Sequence, residues 1–134
     1  RFLGHLSPER LAPLYRHAVA HIAPSVCFET FGNTLVEAFR QSTPVVARRI
    51  GPFPEIVGHA GGGELFDNAV DLRRSLERFA SDRAYRDVLG AAGRRAYETT
   101  WSEDAIVPRY LEIIERTIAR RFPATAAAPA VAVT

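Results

Sequence analysis

The sequence contains no methionine, no lysine and only one cysteine, Cys27. One thiol cannot form a disulfide within the chain, which fits a reducing compartment and predicts a cytoplasmic protein. A chain without methionine does not show its own start, so we expect a piece of a longer protein. No run approaches the roughly 18 apolar residues that cross a bilayer, and the first residues lack a signal-peptide pattern, so nothing indicates membrane association.

The sequence also lacks a large excess of one sign of charge, because the formal net charge is only +2. All 17 cations are arginine. The arginines are scattered or stand in short pairs beside acidic residues, a pattern typical of solvated helix faces. This argues against a nucleic-acid partner, which would require a basic stripe. The four histidines have no metal-ligand spacing, so we predict no bound metal.

What the chain does contain is an ordinary soluble composition, with 47% hydrophobic and 24% charged residues over 134 positions. A chain of this length can bury a substantial core, so we expect one domain over residues 1–121. Residues 122–134 carry small residues and two prolines without periodicity, and we predict a disordered Ala/Pro tail there.

Short apolar runs alternate with helical patterns over the first half of the chain. Strands are predicted at residues 2–6, 20–24, 43–47 and 64–66. Between them lie a helix that Ser7 can cap and that Pro13 should kink or shorten, a helix that begins after Gly32, and a short helix near residues 55–57. This order predicts an α/β fold with a Rossmann-like parallel sheet and flanking helices.

The second half of the chain is predicted to be helical, with three amphipathic patterns. Their apolar faces are marked by Leu72, Leu76, Phe79 and Ala80, then by Tyr85, Leu89, Ala92 and Ala96, and last by Val107, Tyr110, Leu111, Ile114 and Ile118. Ser102 is the cap candidate of the third helix, and Pro108 is expected to delay its regular start.

The segment CFETFGNTLVEAF, residues 27–39, places two glutamates eight positions apart around a glycine that opens a helix. The amides of Gly32, Asn33 and Thr34 have no partner within such a helix and lie at its positive end, which makes an anion site. Because Gly32 lacks a Cβ, a phosphate can approach the backbone closely. In a parallel sheet this loop falls at the carboxyl ends of the strands, where ligands bind.

The two acids indicate what flanks the anion. Glu37, one helical turn further in, can accept hydrogen bonds from two vicinal hydroxyls, as acidic residues do with a ribose in dinucleotide folds. Glu29 stands ahead of the helix on the other side of the phosphate position, where it would meet the group attached to the distal phosphate. A ribose, a diphosphate and a polyhydroxylated group together describe a sugar nucleotide.

The run APSVCFETFGNTLVEAFRQSTPVVARRIGPFPEIV resembles the donor-binding segment of the family 4 (group 1) glycosyltransferases of GT-B fold, and the resemblance covers about residues 1–118. It implies an incomplete C-terminal domain, the donor side of an enzyme that transfers a sugar with retention of configuration and without a metal or other cofactor. It implies that Glu29 positions the donor sugar near the reacting carbon and that Glu37 holds the nucleotide ribose. The sugar hydroxyls and the diphosphate would be bound by the backbone amides of Thr30, Phe31, Gly32, Asn33 and Thr34.

The chain departs from the family pattern at Thr30, Ser42 and Pro52, positions where glycine is frequent, and these changes bear on turn geometry more than on the two acids. The basic pair that binds the diphosphate in the family, and the acceptor-binding N-terminal domain, both lie upstream of the segment present here. We therefore expect the isolated piece to be inactive. By the family's strand order, two missing strands would separate the predicted strands at 2–6 and 20–24 and leave a gap in the sheet.

Other interpretations of the same residues stay open. Arg48 and Arg49 follow the end of a strand and can contact phosphate, although solvated loop arginines are the commoner case. Glu55 is expected to bond loop amides. The whole chain can also be a nucleotide-sugar-binding module without chemistry, or an assembly domain that binds none of the UDP, GDP or ADP sugars.

Overall fold

The computed structural model describes residues 2–122, so most of the predicted tail, residues 123–134, lies outside the described residues. The described residues divide into two compact units, one that ends at Trp101 and one that begins at Ser102. In chain order the elements are α1 (Pro8–His17), β1 (His21–Ala23), α2 (Asn33–Arg40), β2 (Val45–Arg48), α3 (Phe53–Ala60), β3 (Gly63–Phe66), α4 (Ala69–Ser81), α5 (Arg83–Ala96), a short π-helix (Tyr97–Trp101) and α6 (Glu103–Arg121).

The three strands form one parallel sheet in the order β1-β2-β3. His21 of β1 lies opposite Val45 of β2, and Val46 lies opposite Glu64 of β3. Parallel strands need crossover connections, and α2 and α3 supply them. The predicted α/β architecture, a parallel sheet with helices between its strands, is confirmed.

The central strand, β2, is the middle of the core. Val45 and Ala47 pack with residues of α2 and α3 that include Phe39, whereas Val46 packs with Phe66. Successive residues of a strand face opposite sides of a sheet, which explains why there are two hydrophobic clusters. A run of three fully buried apolar residues is typical of a parallel strand covered on both faces.

The strand predicted at residues 2–6 is wrong, because the structure has no strand there. Phe2 is fully exposed, and Gly4 adopts a left-handed conformation with a φ of 68°, which interrupts an extended run. A strand also needs a neighbour for its backbone hydrogen bonds, and within residues 2–122 no strand lies beside this segment. The three strands that do form are contiguous, so the expected gap in the sheet is wrong as well.

Helix α1 continues past Pro13 to His17, so the proline does not end it. The helix begins at Pro8, a position where a missing backbone N–H costs nothing. Pro13 removes one further hydrogen bond. The hydroxyl of Thr43 donates to the carbonyl of Tyr15 at 2.6 Å, which ties the last turn of α1 to the residues before β2.

Helix α6 differs from its prediction in two ways. It begins at Glu103, well ahead of Pro108, because the Ser102 hydroxyl caps it by accepting a hydrogen bond from the Ala105 amide at 3.2 Å. The face predicted to point inward is exposed, since none of the helix residues is buried. Its exposed side chains are Val107, Tyr110, Leu111, Ile114 and Ile118. Within residues 2–122 every helix is too short or too polar to span a bilayer.

His21 of β1 is largely buried, and within the described residues its Nε2 has no hydrogen-bond partner. The ring meets that of Tyr15 edge-on, with 5.4 Å between the centroids. Burial disfavours the charged imidazolium and lowers the pKa of His21 from 6.5 to about 4. The sequence predicts a structural or surface histidine here, and the contact with Tyr15 is consistent with the first of these.

Because of His21, we expect the protein to lose stability as the pH falls from 6.5 to about 4. In this range the unfolded chain binds a proton at His21 and the folded chain does not, so the stability is fully present only above pH 6.5. The free energy of unfolding falls by at most about 3 kcal/mol over this range. Urea unfolding of His21→Phe should show a flatter pH dependence, whereas His17→Gln, at an exposed histidine, should follow the unaltered protein. Equal slopes for all three proteins would contradict the prediction.

Candidate functional site

The loop of residues 24–32 connects β1 to α2 at the carboxyl edge of the sheet. Gly32 is the N-cap of α2 and adopts a left-handed conformation, with φ 99° and ψ 50°. It has no side chain to accept hydrogen bonds, so the first-turn amides of Asn33 and Thr34 have no partner within the helix. Both residues are exposed, and the positive end of the helix is therefore open to solvent.

The structure shows two reasons for glycine at position 32 that the sequence did not reveal. A Cβ on Gly32 would lie 2.7 Å from Cε1 of Phe53 in α3. The missing side chain therefore makes room for Phe53, which is buried in the core, and the approach of a phosphate to this backbone stays a prediction. The left-handed φ is a second reason for glycine here.

Glu29 lies exposed in the loop ahead of α2, and Ser25 Oγ donates to its Oε1 at 3.0 Å. The loop rests on the connection that follows β2, because a Cβ on Gly51 would lie 3.6 Å from the amide nitrogen of Glu29. Thr30 and Phe31 come next, and both are exposed. The carboxylate of Glu29 thus accepts one hydrogen bond from Ser25 and is otherwise accessible to solvent.

Glu37 lies one turn into α2, on the side that meets α1. The Tyr15 hydroxyl donates to Glu37 Oε2 at 3.3 Å. Burial, and then the neighbouring Glu37 carboxylate, raise the pKa of Tyr15 to about 12, so the hydroxyl keeps its proton at neutral pH. The pair lines a groove of about 400 Å³ to which His5 and Gln41 also contribute.

The sequence identified both acids but missed the hydroxyl that bonds each of them. Ser25 stands four residues before Glu29, so a local hydrogen bond between them was within reach of sequence reasoning. Tyr15 is 22 residues from Glu37, and only the packing of α1 against α2 brings them together. No periodicity or spacing in the sequence signals that second contact.

The other histidine, cysteine and acidic side chains of the described residues do not gather into a metal site. Within residues 2–122, no group of three or more His, Cys, Asp or Glu side chains is placed to hold a metal ion. His59 Nε2 lies 3.0 Å from Thr100 Oγ1, and the ring meets Trp101 edge-on, which agrees with the structural role predicted for it. Cys27 is free and exposed.

The sequence model of one protein family, described as glycosyl transferases group 1, matches residues 1–96. These residues include the sheet, α2 and both acids. The chain belongs to the glycosyl transferases group 1.

Curated glycosyltransferases align with most of this group 1 chain. It is 31% identical to the MMP alpha-(1->4)-mannosyltransferase of Mycolicibacterium hassiacum, over 86% of this chain and 28% of the relative. It is 34% identical to the D-inositol 3-phosphate glycosyltransferase of Corynebacterium kroppenstedtii, over 92% of this chain and 27% of the relative. The group 1 chain described here thus spans less than a third of these relatives.

A solved glycosyltransferase of GT-B fold has the same architecture. The chain matches sucrose-phosphate synthase from Thermosynechococcus elongatus with a TM-score of 0.81 and 28% identity, over 90% of this chain and 30% of the other. The parallel sheet and its helices are therefore part of a Rossmann-like domain of the GT-B fold. The family and the fold predicted from the sequence are both confirmed, whereas the roles of Glu29, Glu37 and the residues between them stay predictions.

Proposed function

We propose that this chain binds a nucleotide-diphosphate sugar at the N-terminus of α2 and forms the donor side of an enzyme that transfers the sugar with retention of configuration. One observation carries the proposal: two acids flank an open helix N-terminus, each bonded by a hydroxyl donor, in a member of a glycosyltransferase family. The relatives named as a mannosyltransferase and as a D-inositol 3-phosphate glycosyltransferase support the same class of reaction.

Each part of the donor has a proposed partner in the site. The exposed amides at the start of α2, those of Asn33 and Thr34, bind the diphosphate. Glu37 accepts hydrogen bonds from the ribose hydroxyls, while Tyr15 occupies one lone pair of the carboxylate and leaves the others for the ligand. Glu29 binds hydroxyls of the donor sugar, and Ser25 holds one of its oxygens in place.

The same groups match the charges that develop during transfer. The bond from the anomeric carbon to the diphosphate oxygen breaks, a bond to the acceptor oxygen forms, and the proton of the acceptor hydroxyl passes to the leaving diphosphate. Positive charge develops on the sugar ring, which the carboxylate of Glu29 would stabilise, and negative charge develops on the leaving diphosphate, which the amides of α2 would stabilise. The proposal requires neither a metal nor another cofactor.

The acceptor, in this proposal, is bound by a separate acceptor-binding domain of the same protein. The basis is length, because the chain spans only 27% and 28% of two relatives. The 134 residues alone would then bind the donor without transferring the sugar. The cytoplasmic location remains a prediction from the single cysteine, and no nucleic-acid partner is proposed.

Ligand titration tests the site directly. Calorimetry of the complete gene product with UDP, GDP and ADP sugars should reveal binding to at least one of them. Glu37→Ala should weaken that binding roughly 10- to 100-fold, because a hydrogen bond to a charged group is worth about 1.5–3 kcal/mol. Tyr15→Phe should weaken it by only about 2- to 10-fold, because Tyr15 orients Glu37 without touching the ligand. Glu77→Ala is the control, since Glu77 pairs with Arg73 on the exposed face of α4.

The titration separates the competing functions. Failure to bind any of the three sugar-nucleotide classes would refute the proposal and favour an assembly role. Binding by a complete gene product that shows no transfer would favour a non-catalytic binding module. An equal loss of affinity in Glu37→Ala and Glu77→Ala would show that the effect is not specific to the groove beside α2.

A further inference from the structure

Two consecutive arginines lie at the end of β2, and the structure gives them different partners. Arg49 Nε lies 3.2 Å from Asp67 Oδ2, and both side chains are more than half exposed. This surface ion pair supplies Arg49 with a counter-charge. Sequence reasoning treats Arg48 and Arg49 alike, and the contacts separate them.

Arg48 is held in place without a counter-charge. Its Cζ lies 5.2 Å from the centroid of the buried Phe66 ring, and its Nε donates to the carbonyl of Pro24 at 3.4 Å. Within residues 2–122 no carboxylate forms an ion pair with it. A cation–π contact and a neutral carbonyl position the side chain, and both leave the terminal nitrogens of the guanidinium for another ligand.

Arg48 also lies where the loop of Glu29 begins. Pro24, whose carbonyl it contacts, directly precedes Ser25, the donor to Glu29. The connection that follows Arg48 returns to the same place, since a Cβ on Gly51 would lie 3.6 Å from the Glu29 amide nitrogen. The unpaired cation is therefore at the carboxyl edge of the sheet, beside the loop that carries the predicted donor-sugar acid.

An anionic ligand at this edge needs fixed positive charge. It must approach the carboxylates of Glu29 and Glu37, and the repulsion has to be offset. The amides of α2 supply part of the offset, the basic pair that the family resemblance implies upstream would supply another part, and Arg48 can add a full charge from this chain. A planar guanidinium presents a fork of donors that matches two phosphate oxygens, which an amide or a point charge does not.

We propose that Arg48 binds the diphosphate of the nucleotide sugar from the β2 side, opposite the contribution of the α2 amides. The inference rests on the proposed function and adds a diphosphate-binding residue from this chain's own sheet. In this arrangement the contact of Arg48 with Pro24 also couples the cation to the loop that positions Glu29.

The test compares a diphosphate with the matching nucleoside. In the complete gene product, Arg48→Met should keep an apolar stem over Phe66 and bind UDP, GDP or ADP, whichever the unaltered protein prefers, roughly 10- to 100-fold more weakly. Binding of uridine, guanosine or adenosine should not change. Arg48→Lys should lose about 3- to 10-fold in diphosphate affinity, since the charge returns without the fork. Arg49→Gln is the matched control and should bind both ligands like the unaltered protein.

The possible results distinguish a failure of the role proposed for Arg48 from a failure of the proposed function. Unchanged diphosphate affinity in Arg48→Met, with the unaltered protein binding well, would overturn this inference and leave the proposed function standing. Equal weakening in Arg49→Gln, or equal weakening of the nucleoside, would also overturn it, because the effect would then come from surface charge or from loop structure. If Arg48→Met does not fold, Arg48→Lys carries the same comparison. If the unaltered protein binds none of the diphosphates, the proposed function itself fails.

Discussion

The Gly90→Ala substitution is expected to lower the free energy of unfolding by about 3 kcal/mol, although it adds a single methyl group. Gly90 is buried in α5, and a Cβ there would lie 2.2 Å from the carbonyl oxygen of Ser42 and 3.7 Å from Cδ of Pro44. The clash is with backbone, which cannot rotate away. Ser42 itself has a left-handed φ of 59°, so the turn before β2 has little freedom to move.

The matched control for this experiment is the same substitution in another helix. Gly58 lies exposed inside α3, and a Cβ there would meet nothing within 4 Å. Gly58→Ala should therefore stabilise the protein by about 0.5–1 kcal/mol, because alanine loses less backbone entropy in a helix. Urea unfolding followed by circular dichroism measures both. Changes of the same sign in the two variants would show that helix propensity, and not the contact with Ser42, controls the outcome.

Replacement of Glu29 by glutamine should lower kcat/KM of the complete gene product roughly 100- to 1,000-fold, a typical loss when one preorganised electrostatic group at the reacting centre is removed. The variant should fold normally, since Glu29 is exposed and its described side-chain contact is the hydrogen bond from Ser25. Most of the loss should fall on kcat, because the charge of Glu29 matters more when positive charge develops on the sugar ring. Initial rates over a range of donor concentrations separate kcat from KM.

Two further variants give this prediction its controls. Ser25→Ala should lower kcat by about 10-fold, since the carboxylate stays but loses the donor that orients it. Glu55→Gln changes an exposed acid in the first turn of α3 and should leave the rates unchanged. Full activity in Glu29→Gln would show that Glu29 has no role in the transfer reaction. An equal loss of activity in Glu55→Gln would show that the effect comes from the loss of any negative charge in this region.

Most helices and strands could be predicted because their signals lie close together in the sequence. The strand around His21–Ala23, the helix that opens after Gly32 and the cap at Ser102 all depend on residues within a few positions. Hydrophobic periodicity and turn chemistry act over that range. The same reasoning identified Glu29 and Glu37 as candidates from the loop and helix on which they lie.

The errors arose where an element depends on distant partners. Residues 2–6 are apolar enough for a strand, but no neighbouring strand within residues 2–122 completes their hydrogen bonds. The stripe of α6 has the right period for a buried face, but periodicity does not show what covers it, and the structure leaves it exposed. Gly32 was correctly expected at a helix start, yet the neighbour that excludes a side chain is Phe53, 21 positions later.

By itself the sequence determined the order of strands and helices from α1 onward, the glycine that opens α2 and the two acids around it, because these follow from neighbours along the chain. Only the tertiary structure decided that Tyr15 bonds Glu37, that Arg49 has an acid partner while Arg48 has a neutral one, and that position 90 requires glycine. Those features are distances between residues far apart in the sequence, and packing sets such distances.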